Sequence, residues 1–141
     1  MFSRILVPTD GSESALKAVR VAARLAAEQH AEVVLLTAVP VPQSLVMAAG
    51  VADDVIDQYI EDQGAAALAS GEALFQEAGV GVETKVVLGS AAEVIVNQAH
   101  VVEADLVVMG KRGHGELRGL LLGSVSARVA HQLTIPVLLV P

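Results

Sequence analysis

Cysteine is absent from the 141 residues, and so is tryptophan. Without a thiol the chain can form no disulfide, no thiolate metal site and no cysteine nucleophile, a composition that fits a reducing compartment. Aromatic residues make up only 2%, too few for the stacking platforms that hold single-stranded nucleic acid. No apolar run approaches the roughly 18 residues of a membrane span. The N-terminus leads straight into an apolar strand pattern at Ile5–Val7, without the h-region of a secretory leader. Membrane insertion is not expected, and the expected location is cytoplasmic. Positive charge is also short: the formal net charge of −7 disfavours a general nucleic-acid or anionic-membrane partner.

What the chain does have is aliphatic. Hydrophobic residues reach 53% and charged residues 18%, enough for one domain over residues 1–141 with a core of Val, Leu, Ile and Ala. Such a core is typical of a parallel sheet covered by helices. Residues 3–8 read as a buried strand ending at Pro8. Thr9-Asp10-Gly11-Ser12 reads as a turn, with Ser12 the N-cap of a helix over 13–29. A second strand is expected over 32–39. A helix from Asp53 to about Ala78 follows, with apolar positions Val55, Ile56, Tyr59, Ile60, Ala67, Leu74 and Phe75; Gly64 and Gly71 weaken it locally. A third strand spans 82–88. Ser90-Ala-Ala-Glu93 has capping-box spacing and opens a helix to about His100. Strands over 105–109 and 135–140 flank a helix over 124–132. This alternation predicts a three-layer, doubly wound α/β fold with five parallel strands. The order 3-2-1-4-5 brings the carboxyl ends of the first and fourth strands together at a switch point, where ligands bind in such sheets.

Both of those strand ends carry polar chemistry. After Met109 come Gly110, Lys111, Arg112, Gly113, His114 and Gly115, then Gly123, Ser124, Val125 and Ser126 at a predicted helix start. Glycines let a backbone approach a ligand, and helix N-terminal N–H groups favour anions. Residues 110–131 carry a net +3, while the remainder holds 5 basic and 15 acidic residues. A basic island in an acidic chain suits a small anion better than a polyanion; for Arg118 and Arg128 alone, a solvated helix face serves as well. The stretch is neither a Walker A loop nor a dinucleotide fingerprint, because no Gly-x4-Gly-Lys-[Ser/Thr] occurs and Arg118 stands where a third glycine would be needed. His30, His100 and His131 lack metal-ligand spacing and sit at predicted helix ends. Glu93 reads as a cap, and Asp53, Asp54 and Asp57 as a solvated helix start.

Gly110-x2-Gly113-x9-Gly123-Ser124 resembles the ATP-binding signature of the universal stress protein family. Pro8-Thr9-Asp10-Gly11-Ser12, the Leu-Leu-Gly-Ser-Val-Ser segment and the closing Pro136-Val-Leu-Leu-Val140 resemble that family too, so the resemblance covers essentially the whole chain. It implies an adenine nucleotide α-hydrolase-like fold and a site for ATP, with Mg²⁺ as a companion ion. The implied phosphate contacts are Gly110, Gly113, Gly123, Ser124, Val125 and Ser126, the two serine hydroxyls serving phosphate or metal. Arg112 and His114 are charge partners that the signature does not fix, and Lys111 is either a third or a solvated side chain. Asp10 falls where the family binds ribose; as a residue of its own turn it reads as an Asx-turn acceptor, and one oxygen can serve each role. Pro8 and Thr9 would line the same crevice. Ala38 aligns with the backbone contact to adenine and Met109 with a residue packing nearby, although both also fit plain strand-end core.

The resemblance further implies a homodimer through the uncharged last strand, Val137, Leu138, Leu139 and Val140, whose open edge invites pairing. The expected function is a nucleotide-responsive stress regulator acting on an unknown protein partner, with weak ATP hydrolysis at most. The alternatives are a slow ATPase or nucleotidyl-transfer enzyme on the same fold, an AMP or cyclic AMP binder, and an interaction module that binds no nucleotide. The Pro40–Gly50 loop begins beside the expected adenine site, either as a lid or as a plain connection.

Overall fold

The computed structural model describes residues 1–44, 50, 52–112 and 122–141. Five strands, β1 (Arg4–Pro8), β2 (Glu32–Val39), β3 (Val82–Leu88), β4 (Leu106–Gly110) and β5 (Val137–Val140), form one sheet in the order β3-β2-β1-β4-β5. Every pairing is parallel. The helices between them are α1 (Glu13–Gln29), α2 (Asp53–Glu77), α3 (Ala91–Val101) and α4 (Ser124–Gln132). The expected fold class and strand order are therefore both present. Parallel strands covered on both faces need apolar side chains on both sides, and β1 shows it: Ile5, Leu6 and Val7 are all fully buried.

Ile5 and Val7, with Val33, Leu35, Leu106 and Val108, point to one face and pack against α1 and α2. Leu6, Val34, Leu36, Val107 and Met109 point to the other and pack against α3 and α4. Helix α1 starts where the sequence predicts, because the Ser12 side chain accepts from the Ala15 N–H at 3.2 Å. Its buried stripe, from Ala15 through Ala18, Val19, Ala22 and Ala23 to Ala26, repeats at helical spacing with mostly small side chains, so the helix axis lies close to the sheet.

Two expectations need correction. Ser90 does sit at the N-cap of α3, but its side chain makes no capping bond. Glu93 instead reaches across to Arg128 on α4, at 3.9 Å and with both side chains mostly exposed, a pair of little energetic weight. Helix α2 buries Gly64, Leu68, Gly71 and Phe75, and Val55 is 53% exposed. The two glycines are thus the contact face. A Cβ on Gly64 would lie 2.5 Å from Val86 Cγ2, and one on Gly71 would lie 3.1 Å from Leu35 Cδ2. Their helix-propensity cost of about 1 kcal/mol each is offset by the close approach of α2 to β2 and β3.

Candidate nucleotide-binding cleft

The β1–α1 turn is built by three consecutive side chains that accept from backbone N–H groups. Thr9 Oγ1 accepts from Gly11 at 3.1 Å, Asp10 Oδ1 from Ser12 at 2.9 Å, and Ser12 Oγ from Ala15 at 3.2 Å. Gly11 carries φ +82°, a left-handed value that other residues adopt only at a cost. Thr9 N–H continues the sheet ladder to Leu36 O at 2.8 Å. The turn is thereby rigid, and it leaves the Asp10 side chain exposed.

At the end of β4 a second fixed point forms. Lys111 N–H donates to Val140 O at 2.8 Å, and Gly123 N–H donates to Lys111 O at 2.9 Å. The buried Ser126 hydroxyl lies 2.9 Å from Gly110 O and 2.8 Å from Lys111 O. Gly123 is the N-cap of α4 and, as a glycine, brings no side chain to cap the helix. The first helical bond runs from Ala127 N–H to Gly123 O, so the N–H groups ahead of it have no carbonyl within their own helix to reach.

Between these two fixed points lies a cleft that is open at its mouth. Pro8, Thr9, Asp10, Ala38, Met109, Gly110, Arg112, Val125 and Ser126, nine of the residues expected from sequence, line it. Gly123 and Ser124, at the N-terminus of α4, are not among the lining residues. Gly113 and His114 fall outside the described residues, as do residues 45–49 of the loop considered as a lid. Ala15, Leu36, Ala91 and Ile95 also line the cleft and were not anticipated; their helical and strand periodicity marks them only as core-facing. The lining divides by chemistry. Leu36, Ala38, Ile95 and Met109 contribute apolar surface, while Asp10, Arg112 and the N-terminus of α4 contribute polar groups.

Two roles differ from the sequence expectation. The Ser126 hydroxyl points at carbonyl oxygens of its own chain. Gly110 is required by packing, because a Cβ there would lie 2.7 Å from Ser14 Oγ and 2.9 Å from Ser14 O. Within the basic island, Arg112 lines the cleft and Arg128 turns away to Glu93; Arg118 lies outside the described residues. Among the described residues no group of three or more His, Asp or Glu side chains converges to hold a metal ion, and no helix is long and apolar enough to cross a membrane.

Comparison with known proteins agrees with this fold. Residues 1–141 match the family model described as the universal stress protein family. Universal stress protein MJ0531 of Methanocaldococcus jannaschii is 35% identical over 140 residues, covering 99% of this chain and 82% of the relative. Among solved structures, the hypothetical protein MJ0577 superposes with TM-score 0.85 at 27% identity, covering 99% of this chain and 96% of that one. A universal stress protein crystallised in complex with cAMP superposes with TM-score 0.76 at 33% identity, covering 99% and 97%. The sheet order, the full-length family match and the near-full-length relative together place this chain in the universal stress protein family.

Proposed function

We propose that the chain binds an adenine nucleotide in the cleft between the ends of β1 and β4, and that it is an ATP-binding regulator of the stress response, not a dedicated enzyme. The observation that carries this reading is that one cleft is lined both by apolar side chains and by polar groups. The adenine ring fits between Leu36, Ala38, Ile95 and Met109, with the Ala38 backbone at its edge. Asp10 accepts from the ribose hydroxyls. The phosphates lie toward Arg112, the N–H groups of Val125 and Ser126, and the loop that carries Gly113 and His114. Mg²⁺ comes with the phosphates, held chiefly by them and by water as that ion usually is. No side chain that lines the cleft among the described residues is placed as a committed general base for hydrolysis. Occupancy changes the surface offered to a protein partner by ordering the groups at the mouth. Cyclic AMP is the second reading, favoured by its presence in the 33%-identical relative.

Titration calorimetry of the wild type with ATP, AMP and cyclic AMP ranks these ligands, and no binding of any of them would remove the proposal. Asp10→Ala is expected to weaken the preferred nucleotide by about tenfold or more, since a hydrogen bond to a charged acceptor is worth ~1.5–3 kcal/mol. Asp10→Asn keeps an acceptor for the Ser12 N–H and should fall between the two. Equal affinity in all three proteins would take Asp10 out of the site.

The open edge of β5 supports a symmetric homodimer through Val137, Leu138, Leu139 and Val140. Pro136 O and Val140 O face β4, so by strand alternation the backbone groups of Val137 and Leu139 face outward. Leu138 is 38% exposed. Leu138→Asp is expected to yield monomers at micromolar concentration in sedimentation, because two-fold pairing brings the new charges near one another. A wild type that already sediments as a monomer there would end this part of the proposal.

A further inference from the structure

Ser126 is the third residue of α4 and is buried, yet its hydroxyl faces two backbone carbonyls. One belongs to Gly110, the last residue of β4, at 2.9 Å; the other belongs to Lys111, at 2.8 Å. The single hydroxyl proton is shared between them. Lys111 O also receives the Gly123 N–H at 2.9 Å. The residues that lead into the glycine loop and those that lead out of it are therefore tied at one point, and the side chain that ties them comes from the first turn of α4. A phosphate cradle depends on where its N–H groups point, and those of α4 point wherever this tie sets the helix relative to β4.

From this geometry we propose that the Ser126 hydroxyl is a positioning group: it latches the base of the glycine loop to α4 and aims the helix N-terminus at the phosphates, without itself touching the nucleotide. The inference rests on the nucleotide reading above and assigns this side chain a task different from ligand contact. The latch is made wholly of atoms of this chain, so its loss is expected to show in the nucleotide-free protein. It acts on the phosphate end of the cleft, so adenosine, which has no phosphate, is indifferent to it.

The test compares wild type, Ser126→Ala and Ser126→Thr by amide hydrogen exchange without nucleotide and by calorimetry with ATP and with adenosine. In Ser126→Ala, exchange at the Gly123 and Lys111 amides should rise severalfold while amides of β1 and α1 stay unchanged. ATP affinity should fall by about five- to tenfold, the size of one lost hydrogen bond, with adenosine affinity unchanged. Ser126→Thr keeps the hydroxyl and should restore both. Unchanged exchange at Gly123 in Ser126→Ala, with ATP alone weakened, would make the hydroxyl a direct phosphate contact and overturn the latch. Equal weakening of ATP and adenosine would overturn it as well, because the effect would then be general unfolding of the cleft. A wild type that binds neither ligand would overturn the nucleotide reading itself, an outcome distinct from a wild type that binds and an alanine variant that binds equally well.

Discussion

Gly110→Ala is expected to lower stability by about 2–3 kcal/mol, the upper part of the range for overpacking, and to weaken nucleotide binding by more than about tenfold. The added Cβ would meet Ser14 Oγ at 2.7 Å, Ser14 O at 2.9 Å and Ser14 C at 3.0 Å. The hydroxyl can rotate away. The carbonyl cannot, because it belongs to the first turn of α1, which the Ser12 cap and the buried alanine stripe hold against the sheet. Replacing glycine by alanine recovers only ~0.5–1 kcal/mol of conformational entropy, which does not offset the clash. The end of β4 must therefore move, and Lys111 moves with it, together with its bonds to Val140, Gly123 and Ser126. Urea unfolding and ATP calorimetry measure the two effects. Gly81→Ala is the control, since nothing lies within 4 Å of a Cβ at that position. If Gly110→Ala behaves like Gly81→Ala, the packing account of Gly110 is wrong.

Phe75→Ala should cost more, about 3–5 kcal/mol. Phe75 is fully buried, heads the buried side chains by volume and packs in the cluster of Ile5, Val19, Leu35 and Val108. Its helix cannot move in to close the hole: Gly71, one turn earlier, already brings α2 to within 3.1 Å of Leu35 for any added carbon, and Gly64 is tighter still. The cavity thus stays open, which is what drives such substitutions to the high end of their range. Against a total stability of ~5–15 kcal/mol for a domain, the loss is a large fraction. A drop in midpoint temperature on the order of 10 °C or more should follow. Phe75→Leu, which refills part of the space, should cost clearly less. A loss below ~2 kcal/mol for Phe75→Ala would mean that α2 can settle onto the sheet after all.

How much of this was readable beforehand depends on the kind of signal. The bounds of α1, β2, β3 and α4 could be read directly, because each is a clean run of one periodicity bracketed by residues that stop it: Ser12 before α1, Gly79 and Gly81 before β3, Gly123 before α4. The crevice could be placed because Asp10 and Gly110 break apolar runs with residues a core would not choose. The apolar wall could not, since Leu36 and Ile95 look like any other buried aliphatic, and periodicity does not say where the core stops. The buried face of α2 is hidden in the sequence for a related reason. Hydrophobicity ranks Val55 above Gly64, whereas the contact is set by how near the helix can come. Ser90 and Glu93 had the right spacing for a capping box, but a glutamate at the third position of a helix can also reach a neighbouring helix, as Glu93 does toward Arg128. The direction of the Ser126 hydroxyl depends on two carbonyls 15 and 16 residues away, a distance no local pattern encodes.

The strand order has a consequence for the making of the protein. Synthesis runs from the N-terminus, and residues 4–88 supply three neighbouring strands, β3-β2-β1, together with α1 and α2. That half can cover one face of its sheet as soon as it leaves the ribosome. The far edge of β1 stays bare until residues 106–110 emerge, although β1 was the first strand made. Pairings between strands so distant in the chain close slowly. The cleft takes lining residues as far apart in the chain as Asp10 and Val125, so its two sides come together only after the strands between them have been made.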